Sequence, residues 1–160
     1  MHTDVKLVCY HAELRPQFEN YYLSNDDLNY TGHPSDAIAT SENDSHRYPI
    51  IIEQNGVAVG FFILHDWEGV KKYGKNRYAM LLRSYSIDSR YQGKGIAKQS
   101  LKILPTFMKE NFPSITEVVL AVNKQNRHAQ YVYKKCGFKD KGLRVMGRKG
   151  EQFVLHRDIR

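Results

Sequence analysis

Two apolar, strand-like segments, Tyr78 to Asp88 and Ile115 to Val122, flank a helical stripe made by Ile96, Ala97, Leu101, Leu104 and Met108. A strand, a helix and a strand in that order predict a crossover that joins parallel neighbours of one sheet. Where the first strand meets the helix the chain reads Ile87-Asp88-Ser89-Arg90-Tyr91-Gln92-Gly93-Lys94-Gly95-Ile96-Ala97. A Gly-x-Gly turn at that junction leaves backbone N–H groups of the turn and the first helical turn pointing into open space, where an anion can sit. Glycine suits it because a side chain would block close approach and would penalise positive φ. Arg90 and Lys94 add charge beside these donors. The turn is neither a P-loop nor a dinucleotide GxGxxG, so on spacing alone phosphate binding and an ordinary turn both stay open.

The rest of the chain reads as a single domain, residues 1–160, with 41% hydrophobic residues and no repeat, low-complexity tract or linker. Val5 to Cys9 is a first strand, and Leu14, Phe18, Tyr21 and Tyr22 predict a helix over about His11 to Leu23. Ser24 to Arg47 is polar, with Gly32 and Pro34, and reads as a long loop holding at most a short helix near Ser35 to Thr40. Tyr48 to Glu53, the Asn55-Gly56 turn and Val57 to Leu64 predict a tight hairpin. The polar stretch Asp66 to Arg77 interrupts the sheet. Pro105, lacking an N–H, is expected to kink or restart the helix near Leu104. A further helix over about Gln125 to Lys135 stops at Gly137. Strands near Phe138 to Met146 and Gln152 to His156, turning at Lys149-Gly150, close the chain.

The formal net charge is +7 and it is unevenly placed: residues 1–76 carry 6 Lys/Arg against 11 Asp/Glu, residues 77–160 carry 18 against 6. A folded basic chain points to an anionic partner drawn to the second half, and a cationic ligand suits the first. No nucleic-acid recognition motif supports a polynucleotide partner. The longest clean apolar run, Val57 to Leu64, falls far short of the roughly 20 residues a membrane helix needs, and Met1-His2-Thr3-Asp4 does not open a signal peptide. The expectation is a cytoplasmic protein without a membrane partner; a homodimer stays open. Cys9 and Cys136 have no CxxC or Cys/His ligand spacing, so neither a disulfide framework nor a metal site is expected.

Arg90-Tyr91-Gln92-Gly93-Lys94-Gly95 resembles the Arg/Gln-x-x-Gly-x-Gly/Ala signature of the GNAT superfamily of acyl-CoA-dependent N-acetyltransferases. A second block, Asn126-x-x-Ala129-x-x-Val132-Tyr133-x-Lys135-x-Gly137-Phe138, is similar to that family's next motif. The two are correctly ordered and separated by a helix and a strand. Some details resemble bacterial small-amine acetyltransferases of the spermine/spermidine type. The resemblance implies an α+β fold of three α/β/α layers. Its central sheet would be mixed and mostly antiparallel, with parallel strands four and five splayed to admit coenzyme A.

Carried over residue by residue, the resemblance implies that Gln92, Gly93, Lys94, Gly95, Ile96 and Ala97 cradle the pyrophosphate of acetyl-CoA, with Arg90 at the flank. Ser86, Ile87 and Asp88 would bind the pantetheine arm, one backbone amide polarising the thioester carbonyl. Asn126 would hold the arm by its side chain, with Asn123 a weaker candidate. Tyr133 would be the general acid beside the sulfur. A tyrosine pKa near 10 against a thiol near 8.5 makes full transfer uphill by about 2 kcal/mol in water, so partial donation in the transition state is the role implied. Tyr131, two residues earlier, should point elsewhere. The implied reaction is direct acetyl transfer to a primary amine, with a protein N-terminus or lysine, or a non-catalytic acyl-CoA-binding module, as alternatives. An alkylammonium with pKa near 10.4 is neutral in only about one molecule per thousand at pH 7, so a base is needed. Relatives often carry an acid on the fourth strand; here Arg83-Ser84-Tyr85-Ser86 stands there. Glu53, His65, Asp66, Glu68 and Tyr85 are competing guesses, and Arg83 raises the prospect of an acceptor that bears its own carboxylate or phosphate.

Overall fold

The computed structural model describes residues 4–159, so the Met1 to Thr3 start read above lies outside the described residues. Seven strands form one sheet in the order β1-β2-β3-β4-β5-β7-β6: β1 (Val5–Cys9), β2 (Arg47–Gln54), β3 (Val57–His65), β4 (Ala79–Ile87), β5 (Glu117–Asn123), β6 (Lys139–Gly147) and β7 (Gly150–Asp158). Every neighbouring pair is antiparallel except β4 and β5, which are parallel, as the crossover predicts. β3 is buried along Ala58 to His65 because it lies inside the sheet with both faces covered, which explains its unbroken apolar run. At the β2–β3 turn, Gln54 pairs with Val57, and Asn55 and Gly56 both take positive φ, the twist that a two-residue hairpin requires.

Helices cover both faces. On the upper face α4 (Ile96–Asn111) and α5 (Arg127–Lys135) bury Leu101, Leu104, Met108 and Val132 against Ile50, Phe62, Met80, Val118 and Leu155. On the lower face a 3-10 helix (Ala12–Phe18) and α2 (Pro34–Glu42) bury Phe18 and Ile38 against Ile51, Phe61 and Ile63. Farther along that face, α3 (Trp67–Val70) and the turn after it bury Val70 and Tyr73 against Leu81, Val119 and Val154.

Several local expectations change. The first helix is a seven-residue 3-10 turn that ends at Phe18, with Pro16 inside it lacking the N–H of an α-helical bond to the preceding turn; Tyr21 and Tyr22 lie beyond it, one buried and one exposed. The long loop holds two helices, α1 (Asn25–Leu28), capped by Ser24, and α2, where Pro34 occupies the first turn. α4 is one element through Pro105. The carbonyl of Leu101, four residues earlier and deprived of its usual donor, accepts instead from the Arg157 guanidinium at 3.1 Å. The last turn is Arg148-Lys149, between the paired Gly147 and Gly150.

Candidate active site

β4 and β5 pair only over Ala79–Glu117, Met80–Val118 and Leu81–Val119. Beyond Leu81 their facing edges part, while β4 stays with β3 and β5 stays with β7, so a wedge opens between 82–87 and 120–123. A bulge begins it: Phe61 opposes Ser86 and Ile63 opposes Arg83, so Ser84 and Tyr85 share one partner, and Ser84 sits at φ +56°, unusual for a side-chain-bearing residue. The extra residue reverses the alternation of β4. Met80 and Leu82 face the upper layer before it, Tyr85 and Ile87 after it, while Ser86 turns to the lower face and meets the Tyr21 hydroxyl at 2.7 Å.

At the wide end of the wedge the chain turns through Ser89–Tyr91 and Gln92-Gly93-Lys94-Gly95 into α4. Gly95 caps the helix at φ +80° without a side-chain acceptor, so the first N–H groups of α4 remain available. No protein atom lies within 4 Å of a side chain imagined on Gly93, and only the end of Gln99 lies near one on Gly95 at 3.7 Å, so the space before the turn is open. Lys94 lies over the Tyr91 ring, and Lys98 and Lys135 flank Tyr131 at 6.0 and 5.6 Å. Ile96 is buried in the upper core, and the Ala97 carbonyl accepts from Ser100.

The polar side chains beside this turn are employed within the protein. Asp88, 1% exposed, accepts from the Arg90 guanidinium with both carboxylate oxygens, at 3.0 and 2.7 Å, and from the backbone N–H groups of Tyr22 and Arg90. Arg90 also donates to the Asn20 carbonyl. Gln92 donates to Asp27 at 2.8 Å and to the Ile87 carbonyl at 3.1 Å, and Ser89 joins Asp27 and the Ser24 N–H. Arg90 and Gln92 therefore stitch the 20–27 segment to the turn. Sequence reasoning missed Tyr21, Tyr22 and Asp27 because their partners lie more than sixty residues away.

Tyr133 projects from α5 to the same place. Its ring, 9% exposed, meets Tyr85 and Phe138 edge-on at centroid distances of 5.9 and 5.7 Å. Among the described residues its hydroxyl has no hydrogen-bond partner, yet it is not sealed from solvent, and burial of the ring raises its pKa so that it stays protonated. Tyr131 is 54% exposed and points away, as the helix period predicts. Asn126 caps α5: its Oδ1 accepts from the Ala129 N–H at 3.2 Å, worth about 1 kcal/mol. Both ends of Asn123 are held, by Lys149 and Gln125. Cys136 is buried and its thiol pKa is pushed up by that burial.

The guessed bases do not converge. Glu53 pairs with Lys6 on β1, far along the sheet; Glu68 is tied to Lys71 at 3.0 Å. Asp66 caps α3 and accepts from the His46 Nδ1–H at 2.9 Å. Tyr85 is bound to Ser100 at 2.6 Å, and burial raises its pKa strongly. His65 is buried beneath Gly69, whose Cα approaches so closely that a Cβ would lie 2.2 Å from the ring. Burial, then Arg47 and Arg83, depress its pKa. A cavity of about 460 Å³ lined by Asn76, Glu117, Lys141 and His156 lies at the closed end of the β4–β5 pair, away from the wedge.

A mixed seven-stranded sheet with a wedge between two parallel strands, and a glycine turn opening onto a free helix N-terminus at its mouth, defines an acyl-CoA-dependent transferase fold. Residues 10–138 match the model of the acetyltransferase (GNAT) family. The chain is 40% identical over 157 residues to the uncharacterized N-acetyltransferase YbbJ of Bacillus subtilis, covering 98% of each. It is 27% identical over 121 residues to the spermine/spermidine N(1)-acetyltransferase of the same organism, covering 76% of this chain and 78% of that one. Among solved structures, the aminoglycoside acetyltransferase AAC(6')-Ib in complex with coenzyme A and kanamycin superposes with a TM-score of 0.77 at 16% identity, over 97% of this chain and 95% of that one. The protein belongs to the acetyltransferase (GNAT) family. No helix among the described residues is long and apolar enough to cross a membrane.

Proposed function

We propose that this protein transfers the acetyl group of acetyl-CoA directly to the primary amine of a small molecule within a ternary complex. The observation that carries the reading is the unpartnered, protonated Tyr133 hydroxyl, held by Tyr85 beside the bulge where β4 and β5 part. The cofactor's pyrophosphate would lie on the N–H groups from Gly93 to Ala97, with Lys94 beside it. Its pantetheine amides would bond the unpaired edges of the wedge near Ser86, Ile87 and Asp88, with the Asn126 Nδ2 donor closing over the arm. Arg90, Asp88 and Gln92 serve as positioning residues, because their charge and hydrogen bonds are spent on the 20–27 segment. The acceptor would approach from the lower face, since Tyr85, Tyr133 and Phe138 fill the upper side. Relatives named for spermine/spermidine and for aminoglycosides support a small amine.

In the reaction the neutral amine attacks the thioester carbon, forming the C–N bond as the C–S bond breaks. The oxyanion is met by a backbone N–H at the bulge. Tyr133 donates a hydrogen bond to the departing sulfur, a partial transfer because burial raises its pKa, and the nitrogen proton passes through solvent to the released thiolate. Thiol release from acetyl-CoA across an amine panel tests this. Tyr133→Phe is expected to lower kcat by about 10²- to 10⁴-fold with little change in acetyl-CoA affinity; undiminished turnover would overturn the assignment.

A further inference from the structure

The lower face holds two separate apolar clusters, one under α2 and one under α3, and the strip between them is polar. Arg83 rises there from β4, one residue before the Ser84 bulge, opposite Ile63. Its side chain reaches His65, with a guanidinium nitrogen 3.3 Å from Nδ1. That contact requires Nδ1 to be an acceptor, because both ring nitrogens of a charged histidine are donors, so His65 is neutral. Two guanidiniums, Arg47 and Arg83, share this strip with two carboxylates, and both carboxylates are engaged elsewhere: Asp44 by Arg47 at 2.9 Å and by the His46 N–H, Asp66 by the His46 ring at 2.9 Å and by the Glu68 N–H. Among the described residues no carboxylate comes within ion-pair distance of Arg83. Arg83, just past Leu81 where β4 leaves β5, thus keeps a part-buried guanidinium without a carboxylate of its own.

We infer that the acceptor amine carries a carboxylate, seated on the Arg83 guanidinium. This rests on the acetyl-transfer reading above and names its substrate class. A part-buried guanidinium without a counter-ion is costly, and an incoming carboxylate supplies both the charge and the flat, two-oxygen geometry that the guanidinium fork matches. Polyamines, lacking any anion, would present only cations to Arg83 and Arg47.

Matched acceptors test it: 4-aminobutyrate against butylamine, lysine against 1,5-diaminopentane, and 2-aminoethylphosphonate as the phosphonate arm. The carboxylate member of each pair is expected to lead by at least about tenfold in kcat/KM, and to lead the phosphonate. Arg83→Met should erase that lead by raising KM for the carboxylates alone, and Arg83→Lys should restore part of it. A preference for the diamine, or a carboxylate preference that survives Arg83→Met, overturns the inference. If no amine in the panel turns over, calorimetry on the coenzyme A-loaded protein with N-acetyl-4-aminobutyrate against N-butylacetamide reads the same preference, and equal or absent binding in the wild type refutes it. Failure to bind acetyl-CoA at all would instead defeat the reading of the wedge, so the two failures are distinguishable.

Discussion

Arg157 offers a stability test with a built-in control. It lies on β7 and donates to two carbonyls: that of Leu101 at 3.1 Å, left without its helical donor by Pro105, and that of Cys136, the last residue of the α5 cap. One guanidinium therefore ties together the two helices that carry the glycine turn and Tyr133. Hydrogen bonds from a charged donor contribute about 1.5–3 kcal/mol each, and part of that is lost to the burial that lowers the Arg157 pKa, so Arg157→Met is expected to cost roughly 3–4 kcal/mol. For a chain of this length that corresponds to a fall in Tm of roughly 6–16 °C. Pro105→Ala restores an N–H for Leu101. In that background the loss of Arg157 leaves only the Cys136 carbonyl without its donor, and the cost should shrink by about 1–2 kcal/mol. Urea unfolding of the wild type, both single variants and the double variant gives the coupling directly. Costs that add to within about 0.5 kcal/mol would refute the claim that Arg157 substitutes for the missing proline N–H.

Gly95→Ala meets no close atom, so its cost is backbone strain at φ +80°, about 1 kcal/mol, together with a methyl group in the open space before the turn. Acetyl-CoA affinity measured by calorimetry should fall at least tenfold while the fold survives; unchanged affinity would remove the phosphate from this turn. Burial pushes the Asp88 carboxyl up, and the hydrogen bonds from Arg90 and Tyr22 outweigh it, so its folded pKa lies below the unfolded value of about 3.9. The stability it adds is present above about pH 4 and is lost as the pH falls through the lower folded value. Asp88→Asn should flatten the acid limb of a stability profile, and an unchanged slope below pH 4 would show that Asp88 does not contribute to it.

The glycine turn, the Asn55-Gly56 hairpin, the parallel crossover and the inward Tyr133 against the outward Tyr131 were legible in the sequence because each is governed by residues a few positions apart. Backbone φ preference, helical period and strand alternation act at that range. The splayed sheet was legible through the paired motifs, 90–95 and 126–138. The first helix was misread because apolar spacing favoured a helix beyond Phe18, where the 3-10 turn ends. Pro105 does not split α4 into two helices, and the carbonyl it orphans is satisfied from β7. Arg90 was read as a charge for phosphate, and the structure spends it on Asp88 and Asn20. The order of small local signals determined the family and the sheet. The surroundings of Arg83 were decided only in tertiary structure: whether it has a counter-ion, and whether His65 is neutral, depends on Asp44, Arg47, Asp66 and Gly69 arriving from other segments. Charge balance in a part-buried site is a sum over spatial neighbours, and no local pattern in the chain records it.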